Sequence, residues 1–166
     1  MSQQEFEVKV LEIDRDKVTS TLKQLGAVEV FNDMIAADFF KNATGIKLRL
    51  RRMGGQNILT YKILQASTDI KHNEEVEVVF DNYDGMKQVL LASGFEQYGH
   101  SEKMRLSYQY QNIHFDIDTM AGIPTFLEVE ANNADDVKRG VELFGYTMEQ
   151  TCTLTERTLK EHYGIA

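Results

Sequence analysis

In six segments of this chain charged residues recur at every second position with mostly apolar residues between them, and a seventh sets one lysine two residues from a threonine. The segments are Glu5-Glu7-Lys9, Arg49-Arg51, Lys62 with Thr60, Glu75-Glu77, Lys103-Arg105, Asp116-Asp118 and Glu128-Glu130. Leu48 and Leu50 flank the arginines, Tyr61 and Ile63 flank Lys62, and Val76 and Val78 flank Glu77. Met104 and Leu106 accompany the basic pair, Ile117 separates the aspartates, and Leu127 and Val129 flank Glu128. Spacing of two puts each pair on one face of a β-strand and the apolar residues on the other. Two folds satisfy this pattern. One is a barrel whose charged face points inward, onto water or ligand, with the apolar face under helices. The other is a plain amphipathic sheet with a solvated charged face.

The number of such pairs does not decide between them. With 27% charged residues, roughly a dozen doubly charged pairs at this spacing arise by chance in an average composition. Their sorting by sign is more informative. Most pairs are like-charged, and like charges side by side on a sheet repel, whereas surface sheets gain by mixing signs. Like-charged pairs on successive strands point to two opposing ligand sets.

Alternation of period two predicts strands at Glu5–Ile13, Ala36–Lys41, Ile46–Arg52, Ile58–Leu64, Glu74–Phe80, Lys103–Tyr110, Ile113–Thr119 and Phe126–Ala131. The stretch Asn42–Gly45, the pair Gly54-Gly55 and the pair Gln111-Asn112 supply turns between neighbours. Four helices are predicted. The first spans Asp16 to Leu25, with Val18, Leu22 and Leu25 inward. The second starts near Asp84, with Met86, Val89 and Leu90 inward, and stops at Gly94. The third follows Asn133, uses Val137, Val141 and Phe144, and stops at Gly145. The last runs from Thr155 to Tyr163, before Gly164. The fold class is α+β, dominated by its sheet, and eight strands suit closure into a small antiparallel barrel with helices outside.

The 166 residues fit a single domain, 1–166. No long apolar run and no hydrophobic leader are visible, so neither membrane association nor export is expected. One cysteine, Cys152, suits a cytoplasmic protein. A net charge of -8 argues against a broad nucleic-acid surface. The basic stretch Lys47–Arg52 alternates with leucine, which also argues against a nucleic-acid patch. A local cationic pocket remains open to such a chain.

The charged residues make a coherent chemistry. Lys9, Arg49, Arg51, Lys62, Lys103 and Arg105 form a cationic set large enough for an anion of several charges, such as a triphosphate. Glu5, Glu7, Glu75, Glu77, Asp116, Asp118, Glu128 and Glu130 are hard oxygen donors suited to Mg²⁺ or Mn²⁺. Carboxylates alone repel phosphates, so the two sets together imply a divalent cation.

In these residues the sequence resembles the CYTH superfamily, the triphosphate tunnel metalloenzymes. The N-terminal Glu-x-Glu-x-Lys strand is Glu5 to Lys9, and Leu48-Arg49-Leu50-Arg51 matches the Leu-Arg-x-Arg strand. Thr60-Tyr61-Lys62, Glu75-Val76-Glu77, Lys103-Met104-Arg105, Asp118 and Glu128-Val129-Glu130 follow in the family order over almost the whole chain. The resemblance implies an eight-stranded tunnel, a bound triphosphate and an essential Mg²⁺ or Mn²⁺. It implies metal ligation by Glu5, Glu7, Asp118, Glu128 and Glu130; Glu75, Glu77 and Asp116 form a possible second set, in which Asp116 goes beyond the family pattern and ranks lower. It implies phosphate binding by Lys9, Arg49, Arg51, Lys62, Lys103 and Arg105, and places Glu5, Glu7 and Lys9 among the catalytic residues. Asn73 departs from the pattern, since many relatives carry arginine there.

The resulting expectation is a divalent-metal-dependent triphosphatase acting on inorganic triphosphate, ATP or thiamine triphosphate, as a monomer or homodimer. One alternative is a class IV adenylate cyclase making cyclic AMP and pyrophosphate from ATP. Another is a barrel that binds nucleotides or polyphosphate without turnover. His114 shares parity with Asp116 and Asp118 and is expected near the tunnel, while Tyr108 and Tyr110 belong under helices. Met34, Met53, Met86, Met104, Met120 and Met148 read as core or loop filler.

Overall fold

Period-two alternation becomes nine strands of one antiparallel sheet, and the sheet closes on itself. In the computed structural model, residues 3–64 and 69–165 are described. The expected domain over 1–166 also includes Met1, Ser2, residues 65–68 and Ala166, which lie outside the described residues. The strands are β1 (Gln3–Val10), β2 (Val28–Lys41), β3 (Lys47–Met53), β4 (Gln56–Leu64), β5 (Lys71–Phe80), β6 (Glu96–Tyr110), β7 (Ile113–Met120), β8 (Ile123–Ala131) and β9 (Thr151–Cys152). Their order is β5-β4-β3-β2-β6-β7-β8-β1-β9, and an additional pairing of β5 with β1 closes β1 to β8 into a barrel. The architecture is α+β, an eight-stranded antiparallel barrel with one short extra strand on β1.

The turns follow from local chemistry. Gly54 and Gly55 both take positive φ, 58° and 76°, as a two-residue hairpin requires and as glycine alone adopts without strain. Asn42 Oδ1 accepts from the backbone N–H of Thr44 and Ile46, which fixes the turn from β2 to β3. The helices are α1 (Arg15–Gln24), α2 (Tyr83–Ala92), α3 (Ala134–Glu142) and α4 (Glu156–His162). Their first turns are capped by the side chains of Asp14, Asn82, Asn133 and Thr155, which satisfy otherwise unpaired N–H groups.

Helices cover the outer, apolar face. Val18 and Leu22 of α1 and Val137 and Val141 of α3 pack on Val8, Leu106, Phe115, Ile117, Leu127 and Val129, together with Tyr108. Leu90 and Tyr83 of α2 pack on Phe40 and Leu50, beneath the opposite wall. Leu159 of α4 is fully buried against Met120, Ile123 and Phe126. Phe126 shares parity with Glu128 and pairs with Asp118, so it faces the interior, and α4 lies over that end of the barrel.

Several boundaries differ from the sequence reading. β2 starts at Val28 rather than Ala36, and β6 at Glu96 rather than Lys103. Each extension pairs with the expected part of the other strand, Val28 opposite Gln109 and Lys41 opposite Glu96. Val28 and Val30 are exposed, so their segment lacks the apolar-in alternation that reveals a strand. β1 ends at Val10, short of Ile13, where Glu12 takes a positive φ of 56°. Val89 is 58% exposed and faces out from α2. Met34 and Met104 are direct partners on the outer face and are exposed, so they are not core filler.

Candidate active site

Strand register decides which charges meet. Lys9 lies opposite Glu128 and Glu7 opposite Glu130 in the β1–β8 ladder. Asp116 lies opposite Glu128, and Arg105 opposite Asp118. On the other wall Lys62 faces Glu75, while Thr60 lies between Arg49 on one side and Glu77 on the other. Paired residues share a face of the sheet. The apolar alternates lie under the helices or outside, so all seven charged segments line the barrel interior.

The wall around Lys9 and Asp118 is nearly closed to solvent, with Lys9 2% and Asp118 0% exposed, while on the other wall the side chains of Lys62 and Glu77 are 31% and 38% exposed. Lys9 Nζ donates to Glu7 at 3.1 Å and pairs with Glu128 at 3.0 Å. Arg105 grips Asp118 in a two-pronged bond of 2.7 and 2.6 Å, reaches Glu128 at 2.6 Å and pairs with Asp116. Lys103 Nζ lies 2.8 Å from Asp118 and 2.7 Å from Glu156. Arg51 donates to Glu77 at 2.6 Å, and Thr60 donates to the same oxygen at 2.6 Å. Lys62 pairs with Glu75 and lies 3.5 Å from Glu7. The two opposing ligand sets read from the sequence are therefore corrected. Opposite signs interleave, because antiparallel register sets most like-charged pairs beside the other sign.

Neutralisation is incomplete at two places. The first is where Glu130, Glu5 and Glu7 approach one another. Glu130 has no ion pair or side-chain hydrogen bond among the described residues. Burial, then the charges of Glu5 and Asp116, push its carboxyl up to about 7. Burial likewise raises Glu5, against the pull of Lys62. The second is the β3 pair. Arg49 Nε and Arg51 Nε are buried and have no partner among the described residues. Burial and the neighbouring Arg49 pull the Arg51 guanidinium down to about 10, which leaves it charged at neutral pH.

The CYTH domain model matches residues 3–144. The chain belongs to the CYTH family. A Methanocaldococcus jannaschii protein bearing the name "Putative adenylate cyclase" is 31% identical over 139 residues, covering 79% of this chain and 78% of that protein. A Pyrococcus horikoshii structure superposes with a TM-score of 0.83 at 20% identity, covering 93% of this chain and 98% of that one. A Hippeastrum structure, described as an adenylyl cyclase homologue with a dominant triphosphatase activity, gives 0.64 at 15% identity, covering 100% and 97%.

The metal that the CYTH fold implies can be tested against these donors. Among the described residues no three carboxylate or imidazole groups converge on one point as the side chains stand, because most carboxylates are held by lysine or arginine. Yet Glu5, Glu7 and Glu130 bring like charge together on one stretch of wall, and Glu130 is half-buried with no cation of its own among the described residues. Hard oxygen donors crowded at a cost are the chemistry a divalent cation relieves, so this donor set fits the ion.

Several interior residues of this CYTH barrel escape a sequence reading. Lys71 lies on the same face of β5 as Glu75 and sits 2.8 Å from Glu7. A reading that starts the strand at Glu74 omits it, although its parity gives it away. Glu156 comes from α4, and its bonds to Lys103 and Ser101 depend on tertiary packing that no strand pattern encodes. Lys103, aided by Ser101, holds the Glu156 carboxyl down to about 2 despite burial. His114 lies inside as expected, with Nε2 2.9 Å from Asp116 and Nδ1 3.3 Å from Gln109.

Proposed function

We propose that this CYTH protein is a divalent-metal-dependent triphosphatase that hydrolyses inorganic or organic triphosphate inside its barrel. The observation carrying this reading is the pair of incompletely neutralised regions in one barrel interior. One offers spare guanidinium donors on Arg49 and Arg51, and the other crowds Glu5, Glu7 and Glu130.

In this reading Arg49, Arg51, Lys62, Lys103, Arg105 and Lys9 bind the phosphate oxygens and spread their charge. Glu5, Glu7, Asp118, Glu128 and Glu130 hold Mg²⁺ or Mn²⁺, with Glu75, Glu77 and Asp116 in reserve. When bound, the ion neutralises phosphate charge and lowers the pKa of water. Lys9, already between Glu7 and Glu128, sits at the junction of acidic and basic walls and orients a phosphoryl group toward the carboxylates. Water attacks the terminal phosphorus and gives up a proton to solvent, the bond to the bridging oxygen breaks, and that oxygen leaves with its electron pair on pyrophosphate from inorganic triphosphate, or on the corresponding diphosphate from an organic one. Burial excludes competing water and strengthens each contact.

The second reading is an adenylate cyclase, favoured by the name of the Methanocaldococcus jannaschii relative. It uses the same cradle but needs the ribose 3′-hydroxyl in line with the α-phosphorus. The dominant triphosphatase activity described for the Hippeastrum protein supports hydrolysis as an activity this fold carries. Product analysis separates the two. We expect phosphate from inorganic triphosphate with Mg²⁺ or Mn²⁺ and little cyclic AMP from ATP. Stoichiometric cyclic AMP and pyrophosphate from ATP, with inorganic triphosphate only inhibiting, establishes the cyclase instead.

A further inference from the structure

On β5 the interior position between Lys71 and Glu75 is Asn73, where the family resemblance implies an arginine, and this removes one cation. The structure puts two observations beside that loss. Lys71, two residues earlier on the same interior face, is 13% exposed in its side chain, with Nζ 2.8 Å from Glu7 Oε1. Asn73 itself is 1% exposed, and its Nδ2 donor is buried without a partner among the described residues. A buried amide N–H₂ with no acceptor is costly unless something arrives to accept from it.

The surroundings say what arrives. The Glu7 carboxylate sits among three ammonium groups, with Lys9 at 3.1 Å, Lys71 at 2.8 Å and Lys62 at 3.5 Å. A cage of ammonium donors around one small anion has the composition of a phosphate site.

We propose that Lys71 and Asn73 form a phosphate-binding subsite of the tunnel, in which Lys71 supplies from a neighbouring position the charge that Asn73 lacks. It rests on the triphosphate reading above. Glu7 fills the lysine cage in the absence of ligand. When Glu7 turns to a cation, Lys71, with Lys9 and Lys62, is released to a phosphoryl oxygen, and Asn73 Nδ2 donates beside it. The ligand class is an inorganic or nucleoside polyphosphate, and the contact is to phosphate rather than to any organic group.

The test is calorimetric binding of the imido analogue of inorganic triphosphate, which resists hydrolysis, to Mg²⁺-loaded protein. Lys71→Met is expected to weaken binding roughly tenfold or more, and Lys71→Arg to keep most of it. Asn73→Asp is expected to weaken it more than Asn73→Ala, because it adds a charge that repels phosphate. If Lys71 serves only as counter-ion to Glu7, adding Lys71→Met to Glu7→Gln changes nothing, and that result overturns the subsite. A further roughly tenfold loss in the Glu7→Gln background supports it. Thermal melts select the variants compared, with Lys71→Gln replacing Lys71→Met if the latter does not fold. Wild-type protein that fails to bind the analogue overturns the triphosphate reading itself. Wild-type binding that Lys71→Met leaves intact overturns only the subsite.

Discussion

Glu7 on β1 and Glu130 on β8 are direct partners in the ladder that joins the first strand to the eighth, two carboxylates abreast on the inner wall. Like charges in this position destabilise a sheet. Glu7 is relieved by Lys9 and Lys71, whereas Glu130 has no such partner among the described residues.

Glu130 therefore sets a pH dependence of stability. Its carboxyl is raised from 4.5 to about 7, so the folded state holds its proton more tightly than the unfolded chain. The associated stability is fully present below about pH 4.5 and is lost as pH rises through about 7. In metal-free protein, Glu130→Gln is expected to melt higher than wild type at pH 8, by roughly 1–3 kcal/mol, with the gap closing near pH 5. Excess Mg²⁺ reverses the order if Glu130 is a ligand. Melts at three pH values, with and without the ion, check it, and parallel curves refute it.

Metal dependence follows from the same crowding. Turnover of any triphosphate is expected to vanish with chelator and return with excess Mg²⁺ or Mn²⁺. Full activity after exhaustive chelation removes the metal assignment for Glu5, Glu7, Asp118, Glu128 and Glu130.

On the basic wall, Arg49→Ala, Arg51→Ala and Lys62→Ala are each expected to lower kcat/KM about ten- to hundredfold, the worth of one charge-assisted contact. Arg49 and Arg51 carry the unpartnered buried donors, so they should lead. Unchanged kinetics in all three variants place the substrate elsewhere.

These effects concern residues that a parity argument finds, and parity is where the sequence is most informative. An alternating strand shows which side chains share a face, so the whole charged lining could be collected from positions two apart. Which charges touch depends on register, and register is set by turns and by closure between β1 and β5. Hence the pairing of Lys9 with Glu128 was not readable, and the opposing sets turned out interleaved. Long-range packing was least legible. Glu156 enters from a helix, and the early parts of β2 and β6 carry outward valines and polar residues that mimic a loop.

The outer packing yields a prediction of its own. Gly140 on α3 lies so close to the barrel that a Cβ would meet Val129 at 2.6 Å and Ile113 at 3.1 Å. Alanine is the better helix former by about 1 kcal/mol, yet overpacking a buried contact costs typically 1–3 kcal/mol. Gly140→Ala is expected to lower the midpoint of chemical unfolding while leaving the substrate preference alone. A stabilised variant shows that α3 can move outward freely.

The strand made first, β1, is the one that completes the barrel, since it lies between β5 and β8. On the ribosome it must wait for more than a hundred further residues before its second neighbour exists. An apolar strand left open so long is a nucleus for aggregation. The alternation Glu5, Glu7 and Lys9 gives every exposed intermediate a charged face. The same side chains that serve a tunnel in the finished molecule thus act as solubilising groups during its synthesis, and neutralising them should show first as a loss of yield in cells.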